Sequence, residues 1–323
     1  MTIENLLVFL LLGAGTYVGW NIGANDTANC IGTALDAGLL TFKRAVILFS
    51  VFAILGAVLQ GHHVMKTIGQ GIVKENLDFT AIFVVLICSG FFVTLATFFR
   101  IPASTSQAMV GSLVGIGFAA GAKVDYSKLI TIVLSWIISP LLVMLLSFIL
   151  SHLLAFILRR IKTDMLFVQN VLGWLAILSG CYVAYSIGAN NAGSAVGPVA
   201  NLGIIHPSIL LCIGGGAIAL GAVTYGKKVT DTVGKGITPL DIPGAFVAQI
   251  SSAVGMHFFS VLGIPVSTSF AIVGAVVGTG LVRGSRAIRK KTLLNIFLVW
   301  GLTPCLAAFS SFLLYKVITI TFR

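Results

Sequence analysis

Two polar, glycine-rich segments each occur twice in this chain of 323 residues. Residues 15–32 and 180–197 align without a gap at an offset of 165. They share Gly15/Gly180, Tyr17/Tyr182, Val18/Val183, Ile22/Ile187, Gly23/Gly188, Ala24/Ala189, Asn25/Asn190 and Gly32/Gly197. Residues 101–111 match 264–274 at eight of eleven places, at an offset of 163. The sequence around these segments is almost pure hydrocarbon. Such a chain is constrained to fold as two copies of one unit. Polar, helix-interrupting segments at matching places in two halves of a membrane chain point to a transporter's binding site.

The composition decides the solvent. Hydrophobic residues make up 58% of the chain and charged ones 9%, where a soluble domain carries roughly 25% charged residues. The mean hydropathy is +1.07. Lipid is therefore the main solvent, and in lipid every backbone polar group must be satisfied internally, which selects helices. The net charge of +11 does not indicate nucleic acid, because the basic residues sit in short gaps between apolar runs, where they anchor and orient a membrane protein. The first apolar run follows Glu4 with no Lys or Arg before it. It lacks the marks of a cleaved signal peptide and is read as part of the mature protein. Cys30, Cys88, Cys181, Cys212 and Cys305 have no metal-ligand spacing and read as small buried residues. His62, His63, His152, His206 and His257 form no ligand pattern on one helix and read as loop or packing residues.

Apolar segments fall at 5–34, 45–61, 79–99, 103–121 and 129–158, then at 168–200, 208–226, 243–263, 266–282 and 293–315. Each approaches the ~20 residues a spanning helix needs. The odd-numbered gaps hold 14 Lys and Arg, and the even gaps with the tail hold 6. The positive-inside rule puts the odd gaps in the cytoplasm and both termini outside. Five segments per repeat is odd, so the second repeat enters from the opposite face. The expected fold is an all-α polytopic membrane protein of two inverted repeats, residues 1–162 and 163–323, in the cell membrane. If segments 3 and 4 both crossed fully, Ser104 and Ser267 would lie on opposite faces. Segments 3–4 and 8–9 are therefore expected to be discontinuous or re-entrant hairpins whose Pro-bearing tips stop near the midplane.

At each tip, Pro disfavours helix just before it. Ser104 is a good N-cap, and Gln107 three residues on would complete a capping box. A helix starting there presents free N–H groups and a positive dipole end, which bind anions without a cationic side chain. Ser104, Thr105, Ser106 and Gln107, facing Ser267, Thr268 and Ser269, would make a small tetrahedral oxyanion site. The plainer reading is that these hydroxyls cap membrane helices and pack. Arg100, whose repeat partner is Gly263, either touches the anion or marks the end of a span.

Residues 21–29 and 186–194 form the other pair. Asp26 lies within or just past the first span, and an ionisable group at that depth is a functional hypothesis by default. Hard oxygen ligands from Asn25, Asp26, Asn29, Asn190 and Asn191, with an unwound backbone, suit a small hard cation such as Na⁺. Asp26 could carry a proton instead, or be a loop-facing residue at a helix start, as Asp36 and Asp241 are read to be. A carboxylate beside the anion would also select phosphate, whose hydroxyl can donate to it, over sulfate, which has no proton to give. Gly111, Gly115 and Gly117, mirrored by Gly274, Gly278 and Gly280, allow close helix contact.

Residues 23–29 resemble the N-terminal signature of the inorganic phosphate transporter family, and residues 188–193 resemble its C-terminal copy. The segments after Pro102 and Pro265 resemble the family's Pro-x-Ser-Thr stretches. The resemblance implies cation-coupled uptake of inorganic phosphate with Na⁺ or H⁺ as driving ion, no cofactor, and an outside N-terminus. Asn191 stands where the second signature often carries an acidic residue, and Gln107 stands where His is common. The absent His favours Na⁺. The expectation is a Na⁺/phosphate symporter in a lipid bilayer, with an H⁺/phosphate symporter or a sulfate permease as the alternative and homo-oligomer formation left open. An intramembrane hydrolase would need one asymmetric nucleophile and base, where this chain has matched polar repeats. A passive anion channel would show no concentrative uptake.

Overall fold

The computed structural model describes residues 3–36, 38–98, 104–161, 164–227, 240–282 and 290–321, with the side chains at 3, 4, 29, 33, 34, 36 and 290–297 outside that description. The first repeat contains α1 (Ile3–Asp36), α2 (Phe42–Gln60), a short α3 (His62–Lys66) running into a π turn, α4 (Phe79–Phe98), α5 (Thr105–Ala120) and α6 (Tyr126–Arg160). The second contains α7 (Met165–Ala200), α8 (Pro207–Thr224), α9 (Ile242–Val261), α10 (Thr268–Val282) and α11 (Lys290–Thr321). Eight of these helices are long and apolar enough to cross a membrane; α5 and α10 are shorter. Side-chain caps start several of them. Asp78 accepts from the Ala81 amide at 2.7 Å before α4, and Asp241 accepts from the Gly244 amide at 2.9 Å before α9.

The repeats run in opposite directions. Cys30 Sγ, near the end of α1, donates to the Gly180 carbonyl in the first half of α7 at 2.9 Å. At the other end of the pair, a Cβ on Gly15 would stand 3.1 Å from the Ala195 carbonyl oxygen. The two equivalent helices are therefore antiparallel, as an in-plane two-fold axis requires. Matched glycines show the same axis. A side chain on Gly23 would collide with the Ile218 carbonyl of α8, and one on Gly188 would collide with the Ala53 carbonyl of α2. Small residues let membrane helices meet backbone to backbone, where dispersion replaces the missing hydrophobic drive.

The last helix of each repeat is exchanged. Gly111 of α5 lies against Pro304 of α11, and Gly274 of α10 lies against Pro140 of α6. Each hairpin, α4–α5 or α9–α10, is thus backed by the other repeat. In the centre, α7 is buried along most of its length. At the periphery, α6 turns Ile137, Leu141, Leu145 and Ile149 outward, as α11 turns Leu302, Phe309 and Val317. Exposed aliphatic faces of this kind belong against lipid.

One expectation is corrected here. The backbone around Asn21–Asn29 and Ser186–Ser194 is not unwound: α1 and α7 run unbroken through both segments. The glycines there serve close approach to α8 and α2 rather than chain breakage. The second limbs of the hairpins begin at Thr105 and Thr268, each behind an N-capping Ser.

Candidate functional site

Asn191 Nδ2 donates to Asp26 Oδ2 at 3.0 Å. These residues are related by the repeat offset, and equivalent residues of two repeats touch only on the axis that relates them. The carboxylate of one copy and the amide of the other therefore meet at the centre of the molecule. Asn191 also donates to Thr268 Oγ1 at 3.0 Å, which links the axis to the start of α10. Asp26, Asn191 and Thr268 are all buried. Both amide protons of Asn191 are committed, so only its carbonyl oxygen can face a cation.

The hairpin tips meet at the same place. Ser104 caps α5 by accepting from the Gln107 amide at 3.2 Å, and Ser267 accepts from the Phe270 amide at 3.4 Å. Ser106 Oγ donates across the interface to the Val266 carbonyl at 2.7 Å, and Trp136 of α6 donates to the Pro265 carbonyl at 3.1 Å. Ser104, Thr105, Ser106, Ser267 and Ser269 are buried with them. The first-turn amides of a helix have no intrahelical acceptor, so the two starts bring two positive dipole ends to one buried region.

Asn25 and Asn190 take matched positions. Asn25 Nδ2 donates to Thr97 Oγ1 at 3.0 Å, and Asn190 Nδ2 donates to Ser260 Oγ at 3.0 Å. Each amide nitrogen is tied to the first limb of a hairpin. The Asn190 side-chain oxygen is buried without a hydrogen-bond partner among the described residues. The side chain of Asn29 lies outside the described residues, as do Arg100 and Pro102.

Gln107 departs from expectation. Its amide oxygen is buried with no partner among the described residues, so the return bond of a capping box is not made. The side chain instead lines a lateral cavity of about 480 Å³ between α6, α10 and α11, with Trp136, Phe270 and Trp300. Phe270, its repeat partner, stacks on Trp300 with centroids 3.4 Å apart.

Sequence reasoning overlooked Thr97 and Ser260. It also overlooked the pairs Tyr17–Thr94 and Tyr182–His257, whose hydroxyls and imidazole hold α1 to α4 and α7 to α9 at 2.5 and 2.7 Å. Thr94 and His257, like Thr97 and Ser260, are 163 residues apart, so extending the second alignment back through α4 and α9 would have found them. Gln249, which donates to the Cys30 carbonyl at 2.9 Å, has no polar repeat partner and left no such signal.

This arrangement has relatives. Residues 22–172 and 160–311 each match the model of the phosphate transporter family, so each repeat carries the pattern separately. A protein of Methanocaldococcus jannaschii assigned as a phosphate permease is 31% identical, with 98% of this chain and 100% of that protein aligned. Inorganic phosphate transporter 2-1, chloroplastic, of Arabidopsis thaliana is 27% identical, covering 92% of this chain and 70% of the relative. A solved structure titled as the sodium-dependent phosphate transporter superposes with a TM-score of 0.88 at 29% identity, covering 98% of this chain and 99% of that one. With both copies of the motif, the inverted fold and the family pattern in each half, this multi-pass membrane chain belongs to the phosphate transporter family.

Proposed function

We propose that the chain is a Na⁺/phosphate symporter of the cell membrane, with both termini outside and two inverted membrane repeats, residues 1–162 and 163–323. The observation that carries this reading is the buried link from Asp26 through Asn191 to Thr268. It joins a carboxylate fit for a cation to a helix start fit for an anion. Phosphate sits between Ser104, Thr105, Ser106 and Gln107 of one tip and Ser267, Thr268 and Ser269 of the other. Na⁺ sits beside it, held by Asp26 and by side-chain oxygens of Asn25, Asn29, Asn190 and Asn191. The unbroken α1 and α7 keep their carbonyls in helix bonds, which leaves side chains as the main ligands.

Coupling follows from charge. An anion alone at the midplane is costly in low dielectric, and Asp26 makes it costlier. Na⁺ beside Asp26 offsets part of this negative charge, so the loaded site moves through low dielectric at lower cost than the anion alone. Asp26 also accepts from a phosphate hydroxyl and repels sulfate. Alternating access is a rocking of the peripheral pairs α5/α11 and α6/α10 against the central α1, α2, α7 and α8. In proteoliposomes, labelled phosphate accumulates under an inward Na⁺ gradient at constant pH and resists excess sulfate. Uptake driven by a pH gradient alone would replace the Na⁺ assignment, and competition by sulfate would replace the substrate.

A further inference from the structure

Around the central site, buried side-chain bonds come in repeat-related pairs, as at Asn25 and Asn190. One set does not. Gln249 Nε2 of α9 donates to the Cys30 carbonyl of α1 at 2.9 Å. Cys30 Sγ donates to the Gly180 carbonyl of α7 at 2.9 Å. The neighbouring Ser179 Oγ donates to Gln249 Oε1 at 2.9 Å, sharing its proton with the Ala176 carbonyl at 3.0 Å. These bonds close a ring through three helices, and Cys30, Ser179 and Gln249 are all buried.

The equivalent positions across the axis are Ala195, Ala14 and Leu86, with Gly15 opposite Gly180. None of them carries a polar side chain, so the ring has no counterpart there. Contacts that only pack helices recur in both repeats, as those of Gly23 and Gly188 do. A ring made once serves a task that differs between the two faces of the membrane, and opening toward one face is such a task.

Its place fits that task. Cys30 lies four residues beyond Asp26, about 6 Å along α1, toward the cytoplasm in the orientation proposed above. The hairpin α9–α10 comes from the same face up to its tip at Ser267. Gln249 joins the first limb of that hairpin to α1, a helix of the other repeat. The ring therefore spans the seam that parts when the central site opens inward. Its chemistry is reversible: water entering the seam takes over each bond, so opening exchanges partners rather than stranding them. A leucine, as at position 86, would have to wet an apolar side chain instead.

We propose that Gln249 is a positioning residue of a cytoplasmic gate. With Ser179 and Cys30 it latches the second hairpin to α1 and α7, and the latch breaks before phosphate leaves inward. The direction of this gate rests on the alternating-access reading above.

The test uses Cys30 as its own reporter. In the full-length chain, changing Cys88, Cys181, Cys212 and Cys305 to alanine leaves Cys30 as the sole thiol. A membrane-impermeant maleimide then labels it slowly from the cytoplasmic face of inside-out vesicles. Ser179→Ala takes one donor from the latched state and speeds that labelling about fivefold. Gln249→Glu keeps the shape. Protonated, its hydroxyl can still donate to the Cys30 carbonyl; deprotonated, it cannot, and the latch opens. Its labelling rate relative to the parent at the same pH therefore rises with pH, which a packing role would not produce. Both variants keep the parent's size-exclusion profile. The proposal is overturned if either folded variant is labelled from the cytoplasmic face no faster than the parent, or if the Gln249→Glu ratio is flat in pH. Acceleration from the outer face instead would overturn both the gate and the orientation. Labelling is read without transport, so a different coupling ion leaves its outcome unchanged.

Discussion

The two hairpin tips are alike in backbone and unlike in what they hold. Ser104 and Ser267 cap their helices with the same bond, from the amide three residues on. Gln107 keeps a buried amide oxygen with no partner among the described residues, and its counterpart Phe270 stacks on an indole. The axis shows the same contrast, a carboxylate at Asp26 against an amide at Asn191. Symmetry places two helix starts and two asparagines around one point. The mismatches decide that the point carries one negative charge and one polar flank. A symmetric Asp/Asp axis would set two like charges at hydrogen-bond distance, and a symmetric Asn/Asn axis would have no charge for a cation to offset.

Making the axis symmetric by Asp26→Asn is the largest perturbation. Concentrative uptake is abolished, while size-exclusion behaviour and membrane insertion stay as in the wild type; wild-type uptake rates in this variant would remove Asp26 from the mechanism. The frame itself can be broken at either copy. Gly23→Val and Gly188→Val each drive a side chain into a backbone carbonyl and destabilise the protein by about 3 kcal/mol. Thermal unfolding should give the two variants the same loss, and unequal losses would mean that the repeats do not share the packing equally.

Asn191→Asp makes the axis symmetric in the opposite sense. A second carboxylate needs a further cation to offset it, so phosphate uptake should depend more steeply on Na⁺ concentration than in the wild type. An unchanged slope would place the cation elsewhere. Gln107→Phe matches the tips to each other. It removes an amide without touching the axis, and should raise KM for phosphate by about tenfold, the effect of one lost polar contact of about 1.4 kcal/mol, with the Na⁺ dependence intact. The smallest effect concerns the loop before α6. The Lys128 amide and then the Lys74 ammonium hold the Asp125 carboxyl below its ordinary value. Its stabilisation is therefore complete above the ordinary carboxylate range and is lost as pH falls through the depressed value. The Tm difference between the wild type and Asp125→Asn should shrink as pH is lowered through that window, and a constant difference would assign it to packing.

Much of this was legible before any coordinates. All ten apolar segments correspond to helices, because without charges they have no other stable state in lipid. The inverted arrangement followed from an odd number of segments per repeat, and Ser104 as N-cap followed from Pro102. Two readings of local character did not survive. The residues around Asn25 and Asn190 look like helix breakers, yet α1 and α7 run straight through them, because tight packing on α8 and α2 rewards glycine in a regular helix. Gln107 fits the capping-box spacing, yet its amide oxygen makes no return bond to the cap.

The sequence by itself determined the solvent, the helices, the two-fold repetition and the residue types available at the polar segments. These depend on composition and on spacing within one segment, which local backbone chemistry reads directly. Only the tertiary structure decided that Asp26 and Asn191 touch, that the tips meet through Ser106 and Val266, and that each hairpin leans on the other repeat's last helix. Those contacts join residues 134 or more positions apart. They arise from how closely glycine-lined helices can approach, and no periodicity along the chain records that distance.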